Sequence, residues 1–173
     1  MNSLLPRQIL PWFLVASLSM TCAAKFDRLE SAEQDHFTAL KIWMDKKDQK
    51  AFFKLKTRAD RDAWLKAKGL WKRFYQYDAD RREQILAGKV AIGWTKDQVL
   101  MAWGPPHSRQ RASGRQATRS EVLLYRFEVA EDGTPFVWSP NSKVTHNAID
   151  KYRIELIVDD GTVEELKKLN GWE

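Results

Sequence analysis

The side chains able to do chemistry are few and scattered along the chain. Cys22 is the only cysteine in 173 residues, which excludes an internal disulfide and a zinc site built on several thiolates. The histidines are His36, His107 and His146, each alone in its segment. No His-x-x-x-His or His-Glu-x-x-His spacing occurs, so metal-assisted chemistry has no support. A Gly-x-Ser-x-Gly elbow and a glycine-rich phosphate loop are both missing. Asp159-Asp160 stands directly before Gly161, where turn formation explains the pair better than acid–base work. The expectation is a protein that is not an enzyme and carries no cofactor or metal. Charge remains as the candidate. Segment 107–120 holds Arg109, Arg111, Arg115 and Arg119 without one acid. It reads either as a solvated surface loop or as a contact for anionic phospholipid headgroups or an acidic partner. Each basic residue near a membrane contributes about 1 kcal/mol.

Composition bounds the rest. The chain is 43% hydrophobic and 30% charged, a globular balance with room for one domain and a core. The net charge of +6 is an excess of six among 52 charged residues, too small to indicate a nucleic-acid partner. The first 24 residues carry one charged side chain, Arg7, followed by the apolar run 9–18 and small polar residues up to Lys25. A basic start, a short apolar stretch and a small-residue exit describe an export signal, and the apolar run is too short to span a membrane. Pro6 and Pro11 argue against a stable buried helix there. Removing the signal takes Arg7 with it and leaves +5 on the mature side chains.

Cys22 closes this region, which resembles a bacterial lipoprotein signal, in which the cysteine after a short lipobox becomes the acylated first residue of the mature chain. Leu18 stands one place early for such a box, and Thr21 takes the position usually held by Gly or Ala. The competing reading is signal-peptidase cleavage after Ala24, because Cys22-Ala23-Ala24 satisfies a small-x-small rule. That alternative gives a soluble periplasmic binding or inhibitor module. An unpaired thiol in an exported chain favours lipidation at Cys22.

The elements that must position these residues follow from periodicity. Residues 26–56 read as largely helical, with Phe37, Leu40, Trp43 and Met44 on one face. Thr57 caps a second helix that Gly69 ends, and Asp78 caps a third that Gly88 closes. Leu70, Trp71, Phe74, Tyr75 and Tyr77 form an aromatic cluster suited to a core or a helix-docking surface. The pattern then changes to alternation. Leu123, Tyr125, Phe127 and Val129 share one face of a strand, and Tyr152, Ile154, Leu156 and Val158 share another. Asp132-Gly133 and Asp159-Asp160-Gly161 mark turns, and Thr162-Val163 begins a short return strand or helix. Helices first and strands later predict an α+β fold, with N-terminal helices followed by an α-α-β-β-β unit carrying an antiparallel sheet. The chain divides into a signal region, 1–24, a helical aromatic-rich segment, 25–77, and an α+β domain, 78–173.

The sharpest motif runs from Gly93 to Pro106. Thr95 and Gln98 predict a capping box, while Val99, Leu100 and Trp103 predict a buried stripe. Gly104 predicts a left-handed exit that Pro105 and Pro106 enforce. Residues Ile92, Gly93, Thr95, Gln98, Val99, Gly104 and Pro106 match the BamE/SmpA small-lipoprotein signature, with Trp94 in place of its methionine. This unit therefore resembles that family over about half the chain. The resemblance implies a non-catalytic accessory in the assembly of outer-membrane β-barrel proteins. It also implies a lipid at Cys22, a place on the periplasmic side of the outer membrane, and envelope proteins such as a barrel-assembly complex as partners. The stretch from Lys56 to Leu65 resembles the helical lead-in of GWxTD-type exported domains.

Overall fold

The computed structural model describes residues 22–139 and 147–172. Helices α1 (Cys22–Phe26), α2 (Ser31–Leu40), α3 (Lys46–Lys54), α4 (Arg58–Ala67), α5 (Leu70–Tyr75), α6 (Ala79–Leu86) and α7 (Lys96–Trp103) come first. Strands β1 (Ser108–Arg111), β2 (Ser120–Val129), β3 (Pro135–Val137), β4 (Asp150–Asp159) and β5 (Thr162–Asn170) follow. The fold is α+β. The export signal falls mainly on residues 1–21, which lie outside the described residues, as does His146.

Each helix start has a local cause. Asp45, Thr57 and Asp78 accept from the backbone N–H three residues on, at 2.7, 3.1 and 2.7 Å. These bonds satisfy donors that the first turn leaves free. Gly69 links α4 to α5 in the left-handed conformation, φ 69°. The region read as one helix over 26–56 is broken, because Lys41–Trp43 tighten into a 3₁₀ turn and Asp45 restarts the chain as α3. Phe37, Leu40, Trp43 and Met44 consequently sit on two elements; Leu40 and Met44 are buried while Phe37 and Trp43 pack half-exposed against the core.

The sheet order is β1-β2-β4-β5, and β3 lies beyond β1 along the same edge of β2. Every pairing is antiparallel. Leu123, Tyr125 and Phe127 of β2 and Tyr152, Ile154, Leu156 and Val158 of β4 face the helices and are buried. The return after Gly161 is a nine-residue strand. Residues from Leu29 to Val163 contribute to one continuous core, so segments 25–77 and 78–173 share it.

The Gly93–Pro106 motif is seated by both its ends. Gly93 N–H donates to Val163 O, Val163 N–H to Trp94 O and Lys96 N–H to Gly161 O, each at 2.8 Å. Thr95 and Gln98 form both halves of the capping box. At the exit, the Tyr125 hydroxyl donates to Gly104 O at 3.0 Å, and burial pushes that phenol well above its ordinary pKa. Gly104 has φ 73° and ψ −155°, so the exit is not the left-handed turn expected but a region essentially reserved for glycine. The buried stripe also differs. Gln98, Val99 and Met101 are buried and Leu100 and Trp103 half-buried, because α7 contacts both α2 and α6 and its covered arc is turned toward them. Trp94 is core, Ile92 is exposed, and Trp103 Nε1 donates to Gly88 O at 2.7 Å. Trp138 and Trp172 lie over the Arg126 guanidinium on the other side of the sheet.

Candidate functional site

The four arginines of segment 107–120 separate into distinct roles. The expectation of a continuous loop is corrected at its start, since Ser108–Arg111 pair with β2 as strand β1. Arg109 and Arg111 are opposite Leu123 and Glu121. Both therefore sit on the helix-side face, at the edge of the sheet, where they are exposed. Arg115 turns away from them. Its Nε reaches Asp159 and its Nη1 reaches Glu165, both at 2.7 Å, and these carboxylates raise its already high pKa. It is a staple for the loop. The sequence segment contained no acid because the acids come from β4 and β5.

A second tether positions Arg119. Asp160, in the left-handed conformation at φ 47°, accepts from the N–H groups of Arg119 and Thr118 at 2.9 and 3.3 Å. Its own N–H donates to Arg119 O at 2.8 Å. The Asp159-Asp160-Gly161 turn thereby fixes the backbone of the loop at Thr118 and Arg119, next to the start of β2. Arg109, Gln110, Arg111, Thr118, Arg119, Ser120 and Glu121 together line a groove of about 480 Å³.

Glu121 is the floor of that groove. It is buried and pairs with both Lys96, the first residue of α7, and Arg109. Burial alone would raise its pKa, but the two cations outweigh it and hold the carboxyl below its ordinary range. One carboxylate thus answers two cations, and Arg111 and Arg119 have no ion pair among the described residues. The groove keeps an excess of positive charge with fixed backbone around it. Guanidinium groups so placed have the donor geometry to bind carboxylates or phosphates.

One cluster escaped sequence reasoning. His36 is 2% exposed, its Nε2 lies 2.6 Å from the Tyr75 hydroxyl, and its Nδ1 lies 3.6 Å from Asp62 Oδ1. The outline is that of an Asp-His-hydroxyl relay assembled from α2, α4 and α5. The charges argue against that use. Burial lowers the His36 pKa and, with Asp62, raises that of Tyr75, so a neutral imidazole faces a phenol that keeps its proton. Trp71 stacks on Tyr75 at 4.1 Å. The arrangement ties three helices together. Residues 36, 62 and 75 share no motif or period that could have announced it.

Among the described residues no group of His, Cys, Asp or Glu could hold a metal ion, and no helix is long and apolar enough to cross a membrane. His107 packs edge-on to Trp138. No protein-family model, no curated protein and no solved structure matches the chain.

Proposed function

We propose that the protein is a non-catalytic adaptor of the bacterial cell envelope, lipid-anchored at Cys22 and facing the periplasm from the outer membrane. Its BamE/SmpA-like motif makes assembly of outer-membrane proteins the process in which it acts. The observation that supports an adaptor is the groove in which Arg109, Arg111 and Arg119 converge over a single buried carboxylate. It suits an acidic protein partner. Cys22 opens α1, and the folded body begins within a few residues of it. An acyl anchor there would hold the body close to the membrane surface, each buried methylene contributing about 0.8 kcal/mol.

The test uses the full-length protein in detergent and poly-L-glutamate as the acidic probe. Wild type is expected to bind it with an affinity that falls with salt, as contacts between solvated charges do. The Arg109→Gln/Arg111→Gln/Arg119→Gln variant loses most of that affinity, whereas Arg115→Gln, which removes the staple, acts through loop order. Equal binding by wild type and the triple variant would overturn the adaptor reading. Radiolabelled palmitate incorporated by wild type and not by Cys22→Ser completes the assignment of the anchor; labelling of neither removes the anchor from the reading.

A further inference from the structure

The groove has a backbone as well as side chains, and the backbone is what makes the partner more specific. In an antiparallel pair, alternate residues turn their N–H and C=O groups toward the neighbouring strand and away from it. Ala112 N–H donates to Ser120 O at 3.0 Å, which sets the phase of the β1–β2 ladder. With Ser108 opposite Leu124 and Gln110 opposite Val122, residues 108, 110 and 112 bond to β2. The backbone groups of Arg109 and Arg111 therefore point to the outer edge of β1, which pairs with no strand among the described residues. Among the described residues, two donors and two acceptors have no backbone partner there. They alternate with the period of a strand, and the side chains of the same two residues, Arg109 and Arg111, are exposed beside them.

The sheet's other edge is different. Val163 of β5 is already bonded to Gly93 and Trp94, and β5 carries Glu164, Glu165, Lys167 and Lys168, a mixed set of charges. An edge strand bearing charge normally discourages pairing. Here the charge is of one sign, so it repels basic strands and a second copy of β1 and leaves an acidic strand as the complement.

We propose that β1 accepts an extended acidic segment of a partner protein as an added strand. This deepens the adaptor reading and rests on it. The added segment runs antiparallel to β1 and exchanges backbone hydrogen bonds with Arg109 and Arg111. Carboxylates two residues apart on the incoming strand then fall on the face of the two guanidiniums, since alternate side chains share a face. Main-chain bonds supply register and the arginines supply selectivity, which is the division of labour in recognition by strand addition.

The probe is a labelled eight-residue peptide alternating glutamate and valine, titrated with full-length protein in detergent and followed by fluorescence anisotropy. Two N-methylated versions separate the backbone from the charge, one methylated on the glutamate nitrogens and one on the valine nitrogens. Both keep every carboxylate. Antiparallel addition places the glutamate N–H groups against β1, so that version is expected to bind at least about tenfold more weakly, and the valine version within about twofold of the parent. The Arg109→Gln/Arg111→Gln variant weakens all three peptides. Equal behaviour of the two methylated versions overturns strand addition. If poly-L-glutamate still binds through the arginines in that case, the adaptor reading stands without it. If neither probe binds, both fall together.

Discussion

Glu33→Ala is expected to destabilise the protein by about 3–5 kcal/mol, the cost of leaving a buried charge without its partner. Glu33, 3% exposed, does two jobs from the third position of α2. One carboxylate oxygen accepts the N–H of Glu30 at 2.9 Å, and the other meets Arg61 Nη1 of α4 at 2.5 Å. The Arg61 side chain is 12% exposed and cannot turn to water when the acid is removed. It is also fastened at its other nitrogen, where Nη2 donates to Leu55 O at 2.7 Å, and its guanidinium lies 6.0 Å from the Phe52 ring centre. In a chain of this size the loss corresponds to a fall in Tm of roughly 10 °C. Glu33→Ala/Arg61→Met removes both charges and is expected to be more stable than the sum of its single variants by about 1–3 kcal/mol. Urea unfolding of the four proteins measures this directly, and simple additivity would show that the pair carries no coupling. Glu121 provides the contrast within the molecule. Its partners Arg109 and Lys96 are 47% and 22% exposed, both more open to water than Arg61, so Glu121→Gln should disturb the groove's charge more than the fold's stability.

The contrast shows why parts of the molecule were legible in the sequence and others were not. Capping is local, so Thr57, Asp78 and the Thr95–Gln98 box could be read from residues three apart, and they stand as expected. The alternation of β2 and β4 is also local, and their buried faces are the predicted ones. Helix breaks depend on what the next element packs against, which is why Lys41–Trp43 interrupts a pattern that looked continuous. The arginine segment was visible as charge, and its sorting was not. Arg115 is neutralised by residues 44 and 50 positions away, a pairing created only when β4 and β5 bring Asp159 and Glu165 alongside the loop. For the same reason Arg109 and Arg111 read as loop residues, since a four-residue edge strand of Ser, Arg, Gln and Arg has no apolar alternation to betray it.

His36 shows the same dependence on long-range packing, with a consequence for acid stability. Burial is the main cause that lowers its pKa, and nearby Arg58 adds to it, while Asp62, Asp35 and Glu33 oppose the shift without reversing it. Because the folded pKa lies below the ordinary value of 6.5, the unfolded chain takes up this proton first as the solution is acidified. His36 therefore contributes nothing to pH dependence well above 6.5. Below that value stability is lost at about 1.4 kcal/mol per pH unit until the folded-state pKa is reached, where the slope from this group ends. Urea midpoints measured between about pH 7.5 and pH 5 should show this decline in wild type. His36→Gln, which keeps a hydrogen-bonding side chain beside Tyr75 but cannot be protonated, should flatten it over the same window. An unchanged slope in the variant would place the acid sensitivity elsewhere, and a steeper decline in the variant than in wild type would mean that the imidazole is charged inside the fold. In that event the 3.6 Å separation from Asp62 would be an ion pair in the folded state, and the cluster would gain stability on acidification instead of losing it. The sign of one slope thus decides whether three helices are joined by a neutral hydrogen bond to Tyr75 or by a buried charge.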